Sequence, residues 1–239
     1  MSTLTGTIRD YVTQDFRTAA VFEKYGLDFC CGGGLPLEEA CRKKGLHAAA
    51  IREDLASVMT SPTDGVDNPA AWDTGRLVDH IVQIHHGYVR SILPVIQQHA
   101  RKVAGVHGAL HPETLAIADQ MDRVAVEMTS HMDREEGVLF PHVKQLAEAA
   151  ATGTTPPRAP FGTIASPIAL MEAEHLAVGN EMADVRRLSN QYTPPVDACT
   201  TYRVLYEELA QFEADLHRHV HLENNILFPR ATALERLED

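Results

Sequence analysis

The chain has 239 residues, of which 44% are hydrophobic and 23% charged. That composition suits a soluble globular protein with one large domain or two small ones. A net charge of −12 argues against binding nucleic acid or an anionic membrane by bulk charge. No basic-then-apolar leader and no apolar run of bilayer length stands out, so a cytoplasmic protein is expected. Histidine is abundant, with 13 copies, and the four cysteines are Cys30, Cys31, Cys41 and Cys199. Two of them are adjacent, a poor disulfide framework that fits a reducing compartment.

In chain order, residues 1–60 read as a small helical unit. Asp15 to Tyr25 is a short amphipathic stretch, and DFCCGGG (Asp28 to Gly34) breaks it. Leu37 to Lys44 and Ala48 to Met59 read as helices. Ser61 to Ala70 is rich in turn formers and reads as a linker. Beyond it, residues 72–239 are helical in pattern throughout. The first long helix is expected from Thr74 to Arg101 and the second from Pro112 to Glu148. Ala151 to Gly162 is a proline-rich loop, and the third helix runs from Ser166 to Ser189. Pro194 and Pro195 mark the start of a fourth that continues to about Leu237. No stretch alternates like a strand. The fold class is therefore all-α: an antiparallel four-helix bundle preceded by a small helical unit.

The two halves of the bundle repeat. SHMDREEGVLFP and HVHLENNILFP each carry a histidine, a glutamate four residues on, and a proline ten residues on. His131 and His219 stand 88 apart. His86 precedes His131 by 45, and His175 precedes His219 by 44. Each half thus reads as a helical hairpin with one histidine on its first helix and a His/Glu pair on its second. Residues i and i+4 share a helix face, so His131 points with Glu135 and His219 with Glu223. The same stripes are otherwise apolar, for example Val82, Val89 and Leu93 around His86 and Met171, Val178 and Met182 around His175. A buried carboxylate needs a charge partner or a metal, and no Lys or Arg lies on those stripes near the pairs. One such pair alone is most often a solvated surface pair; two in register with matching histidines point to a pair of divalent cations.

Other histidines compete. His85 also lies on an apolar stripe, and His217 and His221 form a further i,i+4 pair, but the LFP register selects His219. Along a continuous helix His107 lies ~30 Å from His86 and is not expected to ligate. Glu136 sits ~100° around the helix from Glu135. For Cys30 and Cys31 two readings stand: a packed loop, or a glycine-loosened turn that exposes the thiols. Cys41 and Cys199 are expected to pack between helices.

The region from Trp72 onward resembles hemerythrin-like di-iron bundles. Ferritin-like carboxylate proteins use Glu-x-x-His instead, a different spacing. Cys30-Cys31-Gly32-Gly33 with Glu39-Ala40-Cys41, SHMDREEGVLFP, MEAEH, TPPVDACTTYRVLY and HLENNILFPRA together resemble the repair-of-iron-centres family, over almost the whole chain. One departure is His85, where the family often has tyrosine. The resemblance implies two non-haem irons with an oxo or hydroxo bridge. His86, His131, His175 and His219 would be terminal ligands, and Glu135 and Glu223 bridging carboxylates. It implies repair of iron–sulfur clusters damaged by nitric oxide or oxidative stress, with iron–sulfur client proteins and nitric oxide as partners. A nitric oxide sink or sensor and a di-iron nitric oxide reductase remain alternatives, so whether the chain is an enzyme stays open. The N-terminal unit, near the lower size limit for independent stability, is expected to lean on the bundle or on a second copy in a homodimer. Few contacts are expected across the linker, so a chain starting near Ala71 is expected to fold and hold metal.

Overall fold

The computed structural model describes residues 6–62, 67–156, 158, 159 and 161–236. Linker residues 63–66, Pro157 and Pro160 of the proline-rich loop and the fourth-helix end at Leu237 lie outside them. The described residues are helical, and the only β feature among them is a bridge between Thr7 and Pro36.

The N-terminal unit holds α1 (Ile8–Gln14), a 3-10 turn at Phe16–Thr18, α2 (Ala19–Lys24), α3 (Leu37–Lys44) and α4 (Ala48–Thr60). Helix α1 escapes a periodicity reading because it spans only two turns, but it is well capped. Thr7 donates from its N–H and its hydroxyl to the Asp10 carboxylate at 2.8 and 2.7 Å. Helix α3 ends at Gly45, whose φ of 65° is left-handed, the backbone state that favours glycine.

Three of the four bundle helices are interrupted by π-helix. The first is α5 (Thr74–His80), a π stretch Ile81–His86 and α6 (Gly87–His107). The second is α7 (Glu113–Arg134), a π stretch Glu135–Leu139 and α8 (Phe140–Thr152). The third, α9 (Ala165–Leu188), is uninterrupted. The fourth is α10 (Thr200–Leu222), a π stretch Glu223–Leu227 and α11 (Phe228–Arg236). The first helix outlasts the sequence expectation by six residues, because Val103 and Ala104 are buried and keep its apolar face docked. The fourth starts at Thr200, not at Pro194. Pro194 and Pro195 belong instead to the turn that follows left-handed residues Asn190, Gln191 and Tyr192.

The two Leu-Phe-Pro motifs now have a cause. Proline at the second position of α8 and of α11 cannot donate to the carbonyl four residues back. In both helices a π stretch stands where that bond would be, and a π turn re-aims the side chains it carries. Each Leu is buried, and each Phe stacks on a histidine: Phe140 on His86 at 5.7 Å and Phe228 on His175 at 6.1 Å between ring centres.

Two apolar clusters fill the bundle. One, from Leu77, Ile81, Leu139, Phe140, Met171 and Phe228, fills one end. The other, from Val89, Leu93, Met128, Val178, Met182 and Leu216, fills the opposite end and continues into Phe22 and Phe29 of the N-terminal unit. Along every bundle helix the predicted ligands fall between these clusters. No described helix is long and apolar enough to cross a membrane.

Contacts between the N-terminal unit and α10–α11 are more numerous than the linker composition suggests. Arg218 pairs with Glu23 through bonds of 2.9 and 2.8 Å. Asn225 donates to the carbonyl of Cys30 at 3.1 Å. Phe29 meets the rings of His217 and His221 at 6.0 and 5.6 Å. The i,i+4 pair His217/His221 therefore serves this interface and not the ligand layer.

The Cys-Cys-Gly-Gly turn is tight and not loosened. Asp28 accepts from the N–H groups of Cys30, Cys31 and Gly32 at 2.9, 3.0 and 2.8 Å. Cys30 is buried and its thiol donates to the same carboxylate, while Cys31 is half-buried. The exposed-thiol expectation thus fails for Cys30. A Cβ on Gly33 would sit 2.4 Å from the Phe29 carbonyl oxygen, so the glycine is there for close backbone approach. Gly33→Ala is expected to cost ~1–3 kcal/mol through overpacking, read as a lower urea midpoint; an unchanged midpoint would show that the turn yields freely. Cys41 packs in the core as expected, but Cys199 is exposed, because it caps α10 at the surface.

Candidate metal centre

The structure brings all six predicted ligands into one buried layer. His86, Glu135, His219 and Glu223 offer donor atoms within 4.8 Å of one another, and so do His131, Glu135, His175 and Glu223. Glu135 and Glu223 are fully buried and belong to both groups, while each histidine belongs to one. The pairing crosses the sequence repeat: the His86 and His219 Nε2 atoms approach to 3.1 Å, and those of His131 and His175 to 2.9 Å. The two histidines of one hairpin therefore serve different groups.

The outward nitrogens are held by a second ring of residues. His86 Nδ1 meets Glu136 at 2.8 Å, His131 Nδ1 meets Glu174 at 2.8 Å, and His175 Nδ1 meets Asn224 at 2.8 Å. Arg90 donates to Glu136 at 3.1 Å and Arg134 to Glu174 at 2.5 Å. Partners of this kind fix the tautomer and turn Nε2 inward as a lone-pair donor. The sequence reading placed Glu136 only as a neighbour turned away from Glu135, and it assigned no role to Glu174 or Asn224. Their signal was nonetheless present: Glu136 and Asn224 each follow a predicted carboxylate ligand, and Glu174 precedes His175. His219 Nδ1 has no partner, and the ring of His85 stacks on His219 at 5.5 Å with 7° between planes. His85 itself bonds Asp215 at 2.9 Å and stays out of both groups. Both neighbours are buried, and both lie in the π stretch Ile81–His86.

The donor set fits cations. Glu135 Oε2 lies 3.3 Å from His131 Nε2 and 3.4 Å from His86 Nε2, yet neither of its oxygens accepts an aligned hydrogen bond. Burial opposes charge on both carboxylates, but the surrounding imidazoles outweigh it and hold Glu135 below and Glu223 well below the usual range. Burial likewise pulls His86 and His131 down, but the carboxylates win and push them up to about 10 and about 9. Burial, by contrast, holds His219 below the usual histidine range. A cavity of about 430 Å³ between α7 and α9, lined by His131, His175, Glu174 and Arg134, reaches the His131/His175 side.

His107 lies at the far end of the first bundle helix beside Tyr202, 5.2 Å between ring centres. His107→Ala is therefore expected to leave metal content unchanged, whereas His175→Ala lowers it. Equal loss in both variants, by metal analysis, would overturn the assignment.

A four-helix bundle with four histidines and two shared carboxylates in one interior layer defines a class, the hemerythrin-like metal proteins. Residues 77–231 match the hemerythrin HHE cation binding domain, and residues 4–59 match a domain of unknown function (DUF542). A Haemophilus influenzae protein named "Probable iron-sulfur cluster repair protein" is 35% identical over 88% of this chain and 89% of its own. "Iron-sulfur cluster repair protein YtfE" of an Enterobacter species is 36% identical over 92% and 93%, and that of Yersinia pestis is 36% identical over 90% and 91%. The chain belongs to the hemerythrin HHE family and, within it, to the group of these iron–sulfur cluster repair proteins.

Proposed function

We propose that the chain holds two iron ions and repairs iron–sulfur clusters damaged by nitric oxide or oxidative stress. The observation that carries the reading is the sharing of both buried carboxylates between two histidine pairs. His86 and His219 would hold one ion, His131 and His175 the other, with Glu135 and Glu223 bridging. Bound there, the irons supply a redox-active centre open to a small ligand such as nitric oxide, or a store of iron to give away. The protein's own groups do the rest. Glu136, Glu174 and Asn224 orient the imidazoles, and Phe140 and Phe228 pack against two of them. The apolar clusters pack on either side of the layer. Imidazole and carboxylate also suit zinc, so metal analysis of the isolated protein is the first control.

The test is to incubate iron-loaded protein with a cluster enzyme inactivated by nitric oxide and measure recovered activity. Isotopically labelled iron appearing in the restored cluster assigns donation; restoration without label assigns nitric oxide removal. Neither sulfur of the Cys-Cys turn lies in the ligand layer. Cys30→Ala with Cys31→Ala is therefore expected to keep its iron but to restore the enzyme more slowly. Recovery with metal-free protein equal to that with loaded protein would sink the reading.

A further inference from the structure

A cavity of about 840 Å³ outside the ligand layer lies where the Cys-Cys turn and the end of α3 face α9 and α10. Its volume is in the range of small-molecule sites. Its lining includes Cys30, Cys31, Lys44, Arg186, Tyr192 and Glu213.

Glu213 is only 5% exposed. Its Oε2 accepts from the Tyr192 hydroxyl at 3.0 Å and lies 3.7 Å from Arg186 Nε. Its Oε1 has no partner. A buried carboxylate oxygen facing a cavity without a donor calls for a ligand that brings one. The cations tell the complementary story. Lys44 donates to the Gly26 carbonyl, and burial together with Arg186 holds it below the usual lysine range. Lys44 from α3 and Arg186 from α9 bring two cations to the cavity lining, which suits a carboxylate from outside. A ligand answering both needs carries an ammonium for Glu213 and a carboxylate for Lys44 and Arg186, the two ends of an amino acid.

The thiols select the rest of the ligand. Cys30 Sγ and Cys31 Sγ are 3.8 Å apart. Cys30 donates to Asp28, and its hydrogen bond with Cys31 and its burial keep its thiol protonated. Cys31, half-buried on the cavity wall, is left as the nucleophile. We infer that this cavity is a binding site for a zwitterionic low-molecular-weight thiol in its disulfide form, and that Cys31 exchanges with it.

The step balances without any further oxidant. Cys31, as thiolate, attacks one sulfur of the small disulfide. A bond forms between Cys31 and that sulfur, and the original S–S bond breaks, its electron pair leaving on the other half. That half takes up a proton equivalent to the one Cys31 lost, and is released as free thiol. Cys30, held protonated by Asp28, does not resolve the mixed disulfide, which persists until a second small thiol attacks it and returns Cys31.

Cys199 supplies an internal reference, because it is an exposed thiol on the same chain. The full-length protein is treated with glutathione disulfide and, separately, with the uncharged bis(2-hydroxyethyl) disulfide, and adducts are mapped by mass spectrometry. With glutathione disulfide Cys31 is expected to react at least about tenfold faster than Cys199, equivalent to ~1.4 kcal/mol of recognition. With the uncharged disulfide that preference disappears. Glu213→Gln and Arg186→Gln each remove the preference for the charged disulfide. Their unchanged rate with the uncharged one checks that the turn is intact. The inference is overturned if Cys199 reacts as fast as Cys31 with glutathione disulfide, or if Cys31 treats the two disulfides alike. The wild-type comparison decides this even where a variant fails to fold. None of it depends on the metal assignment.

Discussion

Glu135→Leu and Glu223→Leu each strip the chain of most of its metal and leave it folded. Each carboxylate is fully buried and each belongs to both donor groups, so one substitution removes an oxygen from both sites. Histidine pairs alone would leave a cation in either group with two ligands and no compensating charge. The folding side of the prediction has the opposite sign. In metal-free protein a buried carboxylate is a cost that neighbouring imidazolium groups must offset. Leucine is of similar size and apolar, and losing either carboxylate weakens what holds His86 and His131 above the usual histidine range. The metal-free variants should therefore melt no lower than the metal-free parent. Adding iron at a thousand times its dissociation constant raises the parent's stability by ~4 kcal/mol and leaves the variants unmoved. Full, tightly held iron in both variants would disprove the bridging role.

Phe29→Ala destabilises the chain by ~3–5 kcal/mol, the usual range for a buried phenylalanine. Phe29 is 1% exposed and stands at the join between the N-terminal unit and the bundle. It packs against Phe22 on one side and against His217 and His221 on the other. Its carbonyl also blocks any side chain on Gly33, so the turn and the join are built together. By contrast Arg218→Ala, which removes a part-exposed ion pair to Glu23, should cost no more than ~1 kcal/mol. Denaturant unfolding of both variants checks the order; equal midpoints would mean that the units associate through charge. The same contacts revise the expectation of an autonomous bundle. A chain starting near Ala71 uncovers the His217, His221 and Asn225 face that the N-terminal unit buries, and so should be less stable than the full chain.

Much of the ligand layer was legible because its logic is local. A histidine and a glutamate four residues apart share a helix face whatever the rest of the chain does. The repeat of that pair with Leu-Phe-Pro after each copy marked both second helices, and the 44- and 45-residue offsets marked His175 and His86. What went unread is non-local or depends on helix irregularity. That His85 and His86 are both buried depends on what the other helices cover, and the π stretch that carries them has no apolar period of its own. Glu136, Glu174 and Asn224 are ordinary polar residues until a neighbouring helix brings an imidazole nitrogen to 2.8 Å. The Cys-Cys turn looked loose because glycine permits freedom. Here glycine permits close approach, and Asp28 ties the turn shut.

Period, spacing and side-chain chemistry along one segment are enough to read the four bundle helices, their order, the faces carrying each His/Glu pair and the residues able to bind metal. Which histidines meet depends on how the helices pack. The sequence repeat groups His86 with His131 and His175 with His219, whereas the folded bundle groups His86 with His219 and His131 with His175. The reason is geometric. In an antiparallel bundle the first helix packs against the fourth as well as the second, and the π turns rotate the side chains toward those neighbours. The same packing buried Cys30, left Cys199 in solvent, and set the N-terminal turn against the fourth helix.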